Sequence, residues 1–187
     1  MEPIEIIGQV SGIIGMILVI MSFQFKSKIG FYISQMSGNL FYTVSFLLLG
    51  NVAGALMNFL GIIRGFVMMQ PAEKRKLWQF ILLNVTFIAA AVFAATVGGM
   101  GWAALLSFAA QTVGTVCMWY GNDRTIRWGQ LLLISPLWMI NNTLVSFTIG
   151  GILGESFNMV STIVYLIRMH VEKKKRQRAC KTEANDV

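Results

Sequence analysis

Asn58 and Asn158 stand 100 positions apart, and each closes the same short pattern. A glycine, a second glycine four residues on and an asparagine four further make up GNVAGALMN (50–58) and GGILGESFN (150–158). A carboxamide both donates and accepts hydrogen bonds. Two amides converging on one space can hold a neutral polar molecule, or each can simply bond a neighbouring helix. Gln9, Gln35, Asn39, Asn84, Gln111, Asn141 and Asn142 add more uncharged groups of the same kind. None of these is a nucleophile, a general base or a usual metal ligand. There is one His, and no nucleophile–base pair is readable by spacing. GNVAG lacks the Lys and Ser/Thr of a phosphate loop. No enzyme chemistry, metal or cofactor is expected, and the two cysteines, Cys117 and Cys180, are read as unpaired.

The elements that must position these amides are apolar and long. The 187 residues are 56% hydrophobic and 12% charged, about half the charge of an ordinary soluble domain. Apolar stretches cover 4–23, 31–49, 52–69, 77–97, 102–120, 128–147 and 149–167. Each is close to the roughly 20 residues that cross hydrocarbon as a helix. Seven such helices leave no room for a separate soluble domain. Glu2 and Glu5 stand where a signal peptide would carry basic residues, so the first helix is expected to be retained. Trp78, Trp102, Tyr120 and Trp128 fall near helix ends, as in an aromatic belt. Trp138 falls deeper, where it can line a cavity or pack a core.

Charge placement supplies an orientation. With seven helices, every Lys and Arg falls in or beside the 1–2, 3–4 and 5–6 connections or the C-terminal tail. The opposite ends carry Glu2, Glu5 and Glu155 and no basic residue. The positive-inside rule then puts the N-terminus outside and the C-terminus in the cytoplasm. The net charge of +7 therefore calls for no nucleic acid. The run EKKKRQR (172–178) reads as an anchor on anionic lipid, and the last residues as a short disordered end. Arg64, about one turn from the end of its helix, is expected to snorkel to the interface, or else to attract anions at the inner mouth. No Asp, Glu or His falls in the middle third of a predicted helix. Intramembrane carboxylates are the usual proton relays, so movement of a solute down its gradient is expected rather than proton coupling.

Sliding the chain on itself by 100 residues pairs Thr43 with Thr143, Gly50 with Gly150, Gly54 with Gly154, Asn58 with Asn158 and Ile63 with Ile163. The same shift superposes helices 1–3 on helices 5–7, together with their basic loops. Two three-helix units of one orientation need an extra crossing between them, and 77–97 supplies it. The expectation is an all-α polytopic membrane protein of seven helices arranged 3+1+3. It comprises a first triple-helix bundle (1–70), a linker with helix 4 (71–100), a second bundle (101–170) and a basic, disordered tail (171–187). Parallel repeats of this kind carry their site at the repeat interface near the midplane. The glycine pairs fall at the outer 2–3 and 6–7 turns, where small residues let helices approach closely.

This arrangement resembles the SWEET, SemiSWEET and PQ-loop (MtN3-like) superfamily of small membrane transporters. The stretch SFQFKSKIGFYISQMSGNLFYTVSFLLLGNVAGALMNFLGIIRGFVM (22–68) resembles more closely the YgjV-type bacterial inner membrane proteins. The resemblance implies a bacterial inner membrane location and substrate contacts from Asn58 and Asn158. It also assigns Tyr42 the place of an aromatic that accompanies the asparagine, with Asn142 as its repeat mate, so the two halves differ chemically. The superfamily's Pro-Gln at the end of helix 1 is Phe23-Gln24 here, and Pro136 is the one proline inside a predicted bundle helix. The expected function is a facilitator for a small neutral polar solute, a sugar or metabolite, bound between the repeats by Asn58, Asn158, Tyr42, Asn142 and Trp138. The alternative is a non-transporting adaptor, assembly factor or sensor. A cavity lined by Asn58, Asn158, Asn142 and Tyr42 favours transport; apolar plugging by Phe41, Met57, Trp138 and Met139 favours the alternative. One chain holds a complete pathway, so a monomer suffices and an oligomer is not required.

Overall fold

The computed structural model describes residues 2–22, 25, 27–97, 99, 101–120 and 123–185, and only the backbone at 28, 103, 123, 124 and 172–185. Phe23 and Gln24 lie outside the described residues, as do the side chains of the 172–178 run. The described chain is helical and holds no strand. The helices are α1 Pro3–Ser22, α2 Lys28–Leu48, α3 Val52–Met69, α4 Leu77–Thr96, α5 Ala103–Tyr120, a run α6 over 123–145, and α7 Ile149–Asn185.

Four segments are long and apolar enough to cross a membrane: Pro3–Ser22, Val52–Met69, Leu77–Thr96 and Ile149–Val171. The three that fall short, α2, α5 and α6, hold much of the buried polar inventory, including Ser34, Thr43, Ser107, Gln111, Asn141 and Asn142. The polar faces of these three helices therefore turn inward.

Local signals fix the helix ends. The Ser27 hydroxyl accepts from Gly30 N and caps α2. The Asn51 carboxamide oxygen accepts from Gly54 N at 2.7 Å and caps α3. Each cap satisfies a backbone donor that the helix leaves unpaired. Gly50, in the turn before α3, has φ +76° and open space around it, so there the glycine serves conformation rather than close packing. At the other end of α3, Arg75 reaches the carbonyls of Met68 and Gln70 at 3.1 and 3.3 Å, a cation on the negative end of the helix dipole.

Around Pro136, α6 is irregular. Asp123–Gly129 and Ser135–Ile140 are α-helical, while Gln130–Ile134 and Asn141–Val145 are π-helical. Proline lacks the N–H of a regular turn, and the wider turn before it is one way a helix absorbs that loss.

Helix α1 packs against α2 and α7, α3 against α2, α4 and α5, and α6 against α5 and α7. Six helices thus follow one another around a ring, α1, α2, α3, α5, α6, α7 and back to α1, with α4 outside it. On α4, Leu83, Phe87, Ala91 and Ala94 are buried, while Ile81, Val85, Ile88 and Val92 are about half exposed. Its single buried stripe faces the α3–α5 junction and the rest meets lipid. Gly150 on α7 is what brings α1 close: a Cβ there would strike the Gly12 backbone.

The tail departs from expectation. Instead of ending near 170, α7 runs as helix to Asn185. Glu, Lys, Arg, Gln and Ala dominate 172–184 and no Gly or Pro interrupts them; all five are good helix formers.

Candidate functional site

The ring encloses a cavity of about 470 Å³ lined by residues of α1, α2, α3, α5, α6 and α7 and by none of α4. That volume lies within the range of small-molecule pockets. Its wall on α2 runs from Phe31 to Phe46, fifteen residues or roughly 22 Å of helix, most of the hydrocarbon thickness.

One end of the cavity is capped by a buried polar network. Asn51 is fully buried, and its Nδ2 donates to Asn141 Oδ1 at 2.9 Å and Ser146 Oγ at 3.0 Å. Ser146 and Thr148 hydroxyls lie 3.3 Å apart. Gln9, reaching across from α1, donates to Phe147 O and accepts from Ile149 N. Every non-helical backbone group it meets belongs to the turn before α7. The 2–3 and 6–7 turns and the start of α1 are thus tied together, as buried polar groups require.

Below that seal an aromatic stack lines the wall. Tyr42 and Phe46 rings lie 6.2 Å apart, and Phe46 and Trp138 5.9 Å apart, both near parallel. The Tyr42 hydroxyl donates to Gly150 O at 3.3 Å. Gly154 leaves it room, since a Cβ there would stand 2.7 Å from the Tyr42 oxygen.

All five residues expected at the site, Asn58, Asn158, Tyr42, Asn142 and Trp138, border this cavity. Phe41, Met57 and Met139 do not. Asn58 uses its Nδ2 on its own helix, donating to Gly54 O at 2.9 Å. Its free hydrogen-bonding capacity is therefore mainly the carbonyl. Gln35, Asn39 and Gln111 also border the cavity, and Gln111 donates to Met57 O at 3.1 Å, tying α5 to α3. Asn84 turns back on Phe80 O in α4, away from the site.

Charge is where the structure departs most from the sequence reading. Glu155 borders the cavity beside Ser135 and Asn158, and its Oε2 is buried without a hydrogen-bond partner. It sits six residues into α7, near the outer end as expected, but the cavity reaches that far. Arg64 does not snorkel outward. Its Nη1 donates to Gln111 O at 3.3 Å and Thr115 Oγ1 at 3.4 Å, and Gly114 on α5 leaves space for it. Arg127 also borders the cavity, its guanidinium 3.5 Å over the Tyr165 ring.

Depth counting would have found Glu155. Asn58 is six residues after the first residue of α3, and Glu155 is six after the first residue of α7. The ungapped shift of 100 instead paired Asn58 with Asn158, nine residues into α7. Both turns leading into these helices are three residues long, 49–51 and 146–148. Matching the turns gives a shift of 97.

The model of a family described as bacterial inner membrane protein, Imp-YgjV, matches residues 6–173, and the chain belongs to that family. It is an integral, multi-pass protein of the bacterial inner membrane. No curated protein and no solved structure matches the chain.

Proposed function

We propose that this member of the family is a transporter that carries a small polar solute through the cavity inside the helix ring. The observation that carries the reading is the composition of the wall. Asn58, Asn158, Asn142 and Tyr42 border one continuous space, while three of the four bulky side chains that would argue for a plug, Phe41, Met57 and Met139, stay out of it and only Trp138 borders it. A non-transporting adaptor has no use for such a space.

The seven-helix count and the ring order support a 3+1+3 repeat. In each half consecutive helices pack, α1–α2–α3 and α5–α6–α7, the halves meet at α3–α5 and α7–α1, and α4 lies outside. This is the arrangement expected of a SWEET-like parallel repeat, with its site at the repeat interface. The cavity is built from one chain, so a monomer suffices. The orientation, N-terminus outside and C-terminus cytoplasmic, follows from the basic loops, and the basic end of α7 would rest on anionic lipid.

The test is ligand binding to the detergent-purified protein. Wild type and the Asn58→Ala, Asn158→Ala double variant are screened by thermal shift against sugars, nucleosides, vitamins and amino acids. A compound that stabilises wild type but not the variant supports the reading. No stabilisation of either, with both equally folded, refutes it in favour of an adaptor.

A further inference from the structure

The sequence points to a neutral polar solute, because the polar groups singled out within its predicted helices are mostly uncharged amides. The wall of the cavity is not neutral. Its charged residues are Glu155, Arg64 and Arg127, and they are segregated. Glu155 stands toward the closed end, one turn of α7 from Gly151, which packs on Asn142. Arg64 and Arg127 stand toward the other end.

Each charge lacks an opposite partner among the described residues. The groups facing Glu155 are Ser135 from α6, Asn158 on its own helix and Tyr42 from α2; none is cationic. Asn142 Oδ1, in the same part of the wall, is a second buried acceptor without a donor. Arg64 meets a backbone carbonyl and a threonine hydroxyl from α5, and Tyr32 is the acidic-capable group nearest it. Arg127 already stacks on Tyr165, a use that leaves its charge uncancelled. A charge withdrawn from water is costly unless an opposite charge meets it. A neutral sugar would bring none.

The two groups border one cavity and are linked through one stretch of α6. Ser135, beside Glu155, follows Ile134 in the chain, and Ile134 and the Arg64 guanidinium both abut the same point on Gly114. Glu155 and Arg64 therefore flank one stretch of α6, Ile134–Ser135, from its two ends.

We propose that the cavity selects a small zwitterion, holding its amine at Glu155 and its anionic group, a carboxylate or a phosphate, at Arg64. The assignment rests on the transport reading and narrows it. The acceptor-rich closed end, with Glu155 and Asn142, takes the ammonium donors. The donor-rich end, with the fork of Arg64, takes the anion.

The experiment uses full-length protein in detergent and measures equilibrium binding and thermal shift with five probe sets. These are serine and glutamine; phosphoethanolamine; serinamide, which keeps only the amine; lactate, which keeps only the anion; and glucose with glycerol as neutral polar molecules. The expected result is that a zwitterion binds at least tenfold more tightly than its singly charged analogues and the neutral set. Glu155→Gln then loses that tenfold preference for serine over lactate, and Arg64→Gln loses the preference for serine over serinamide. Arg64→Lys, which keeps the charge, retains part of it and guards against misfolding of the glutamine variant. Phosphoethanolamine binding above the amino acids identifies the anion as phosphate, and the reverse identifies a carboxylate. Either result supports the proposal. Glucose or glycerol binding as tightly as serine overturns the zwitterion and leaves the transport reading standing. Failure of every set to bind, with Asn58→Ala, Asn158→Ala indistinguishable from wild type, overturns both.

Discussion

Replacing Asn51 with alanine tests whether the closed end of the cavity is a built seal. The side chain makes three bonds: its oxygen caps α3 through Gly54 N, and its nitrogen joins Asn141 Oδ1 and Ser146 Oγ on the far side of the ring. Loss of an N-cap costs about 1 kcal/mol. Each interhelical hydrogen bond in a membrane protein is worth about 0.6 kcal/mol, so two add roughly 1.2. The expected loss is about 2 kcal/mol, near a thirty-fold fall in the folding equilibrium. The assay is reversible unfolding in mixed micelles, with two controls. Asn51→Ser keeps a cap acceptor but shortens the reach, and is expected to recover about 1 kcal/mol of the loss. A double-mutant cycle of Asn51→Ala with Asn141→Ala is expected to show coupling of at least 0.5 kcal/mol. A loss below about 0.5 kcal/mol for Asn51→Ala, or additivity in the cycle, would refute the seal. The three groups would then be equally well satisfied by water, and that end of the cavity would be wet.

Four further outcomes are expected. Gly50→Ala places a side chain at φ +76° in open space and costs about 1–2 kcal/mol of purely conformational energy; Gly150→Ala, against the Gly12 backbone, destabilises more, and the reverse order in the same unfolding assay would contradict the close α1–α7 contact. Trp138→Ala removes one end of the aromatic stack and lowers stability by about 3 kcal/mol, a loss that filling the enlarged cavity with a bulkier ligand partly restores; unchanged stability would show the ring to be unpacked. Arg127→Gln and Tyr165→Leu each cost about 1 kcal/mol and the pair together no more than one of them, while full additivity would deny the cation–π contact. Green fluorescent protein fused at the C-terminus is expected to fluoresce, and alkaline phosphatase fused after residue 99 to be active; the opposite pattern would invert the orientation drawn from the basic loops.

The helices were legible because the bilayer imposes one length on them. The predicted limits of the third span, 52–69, coincide with α3, and the first, second and fourth lie within three residues of α1, α2 and α4. That Asn58, Asn158, Tyr42, Asn142 and Trp138 border the cavity was legible from the repeated Gly-Gly-Asn pattern, from the depth of Trp138 and, for Tyr42 and Asn142, from the family resemblance. Glu155 and Arg64 were not. Depth along a helix says how far a residue lies from an interface, but not whether a cavity reaches it. Arg64 was one turn from a helix end and its long side chain fits a lipid interface equally well; only Gly114 on α5, fifty positions away, opens the path it takes. The tail was misjudged for the opposite reason. Its charges suggested disorder, while the helix propensity of the same residues continues α7.

The irregular turns of α6 have a consequence for how the two halves of the chain correspond. Helix α2 has 21 residues and α6 has 23 positions, from 123 to 145. A π turn holds one residue more than the α turn it replaces, and α6 has two such turns. The surplus equals the number of π turns, so the two helices differ in residue count while keeping nearly equal length. Two single-residue insertions in a helix of α2's length would give the residue count of α6 while leaving the positions of its ends nearly unchanged. Each such insertion turns the residues beyond it by about 100°. The same bookkeeping explains why no single ungapped shift aligns the halves: the connection before α2 spans 23–27, that before α6 only 121–122. The cavity lining is correspondingly asymmetric: at the same helical depth α3 contributes an amide, Asn58, and α7 a carboxylate, Glu155.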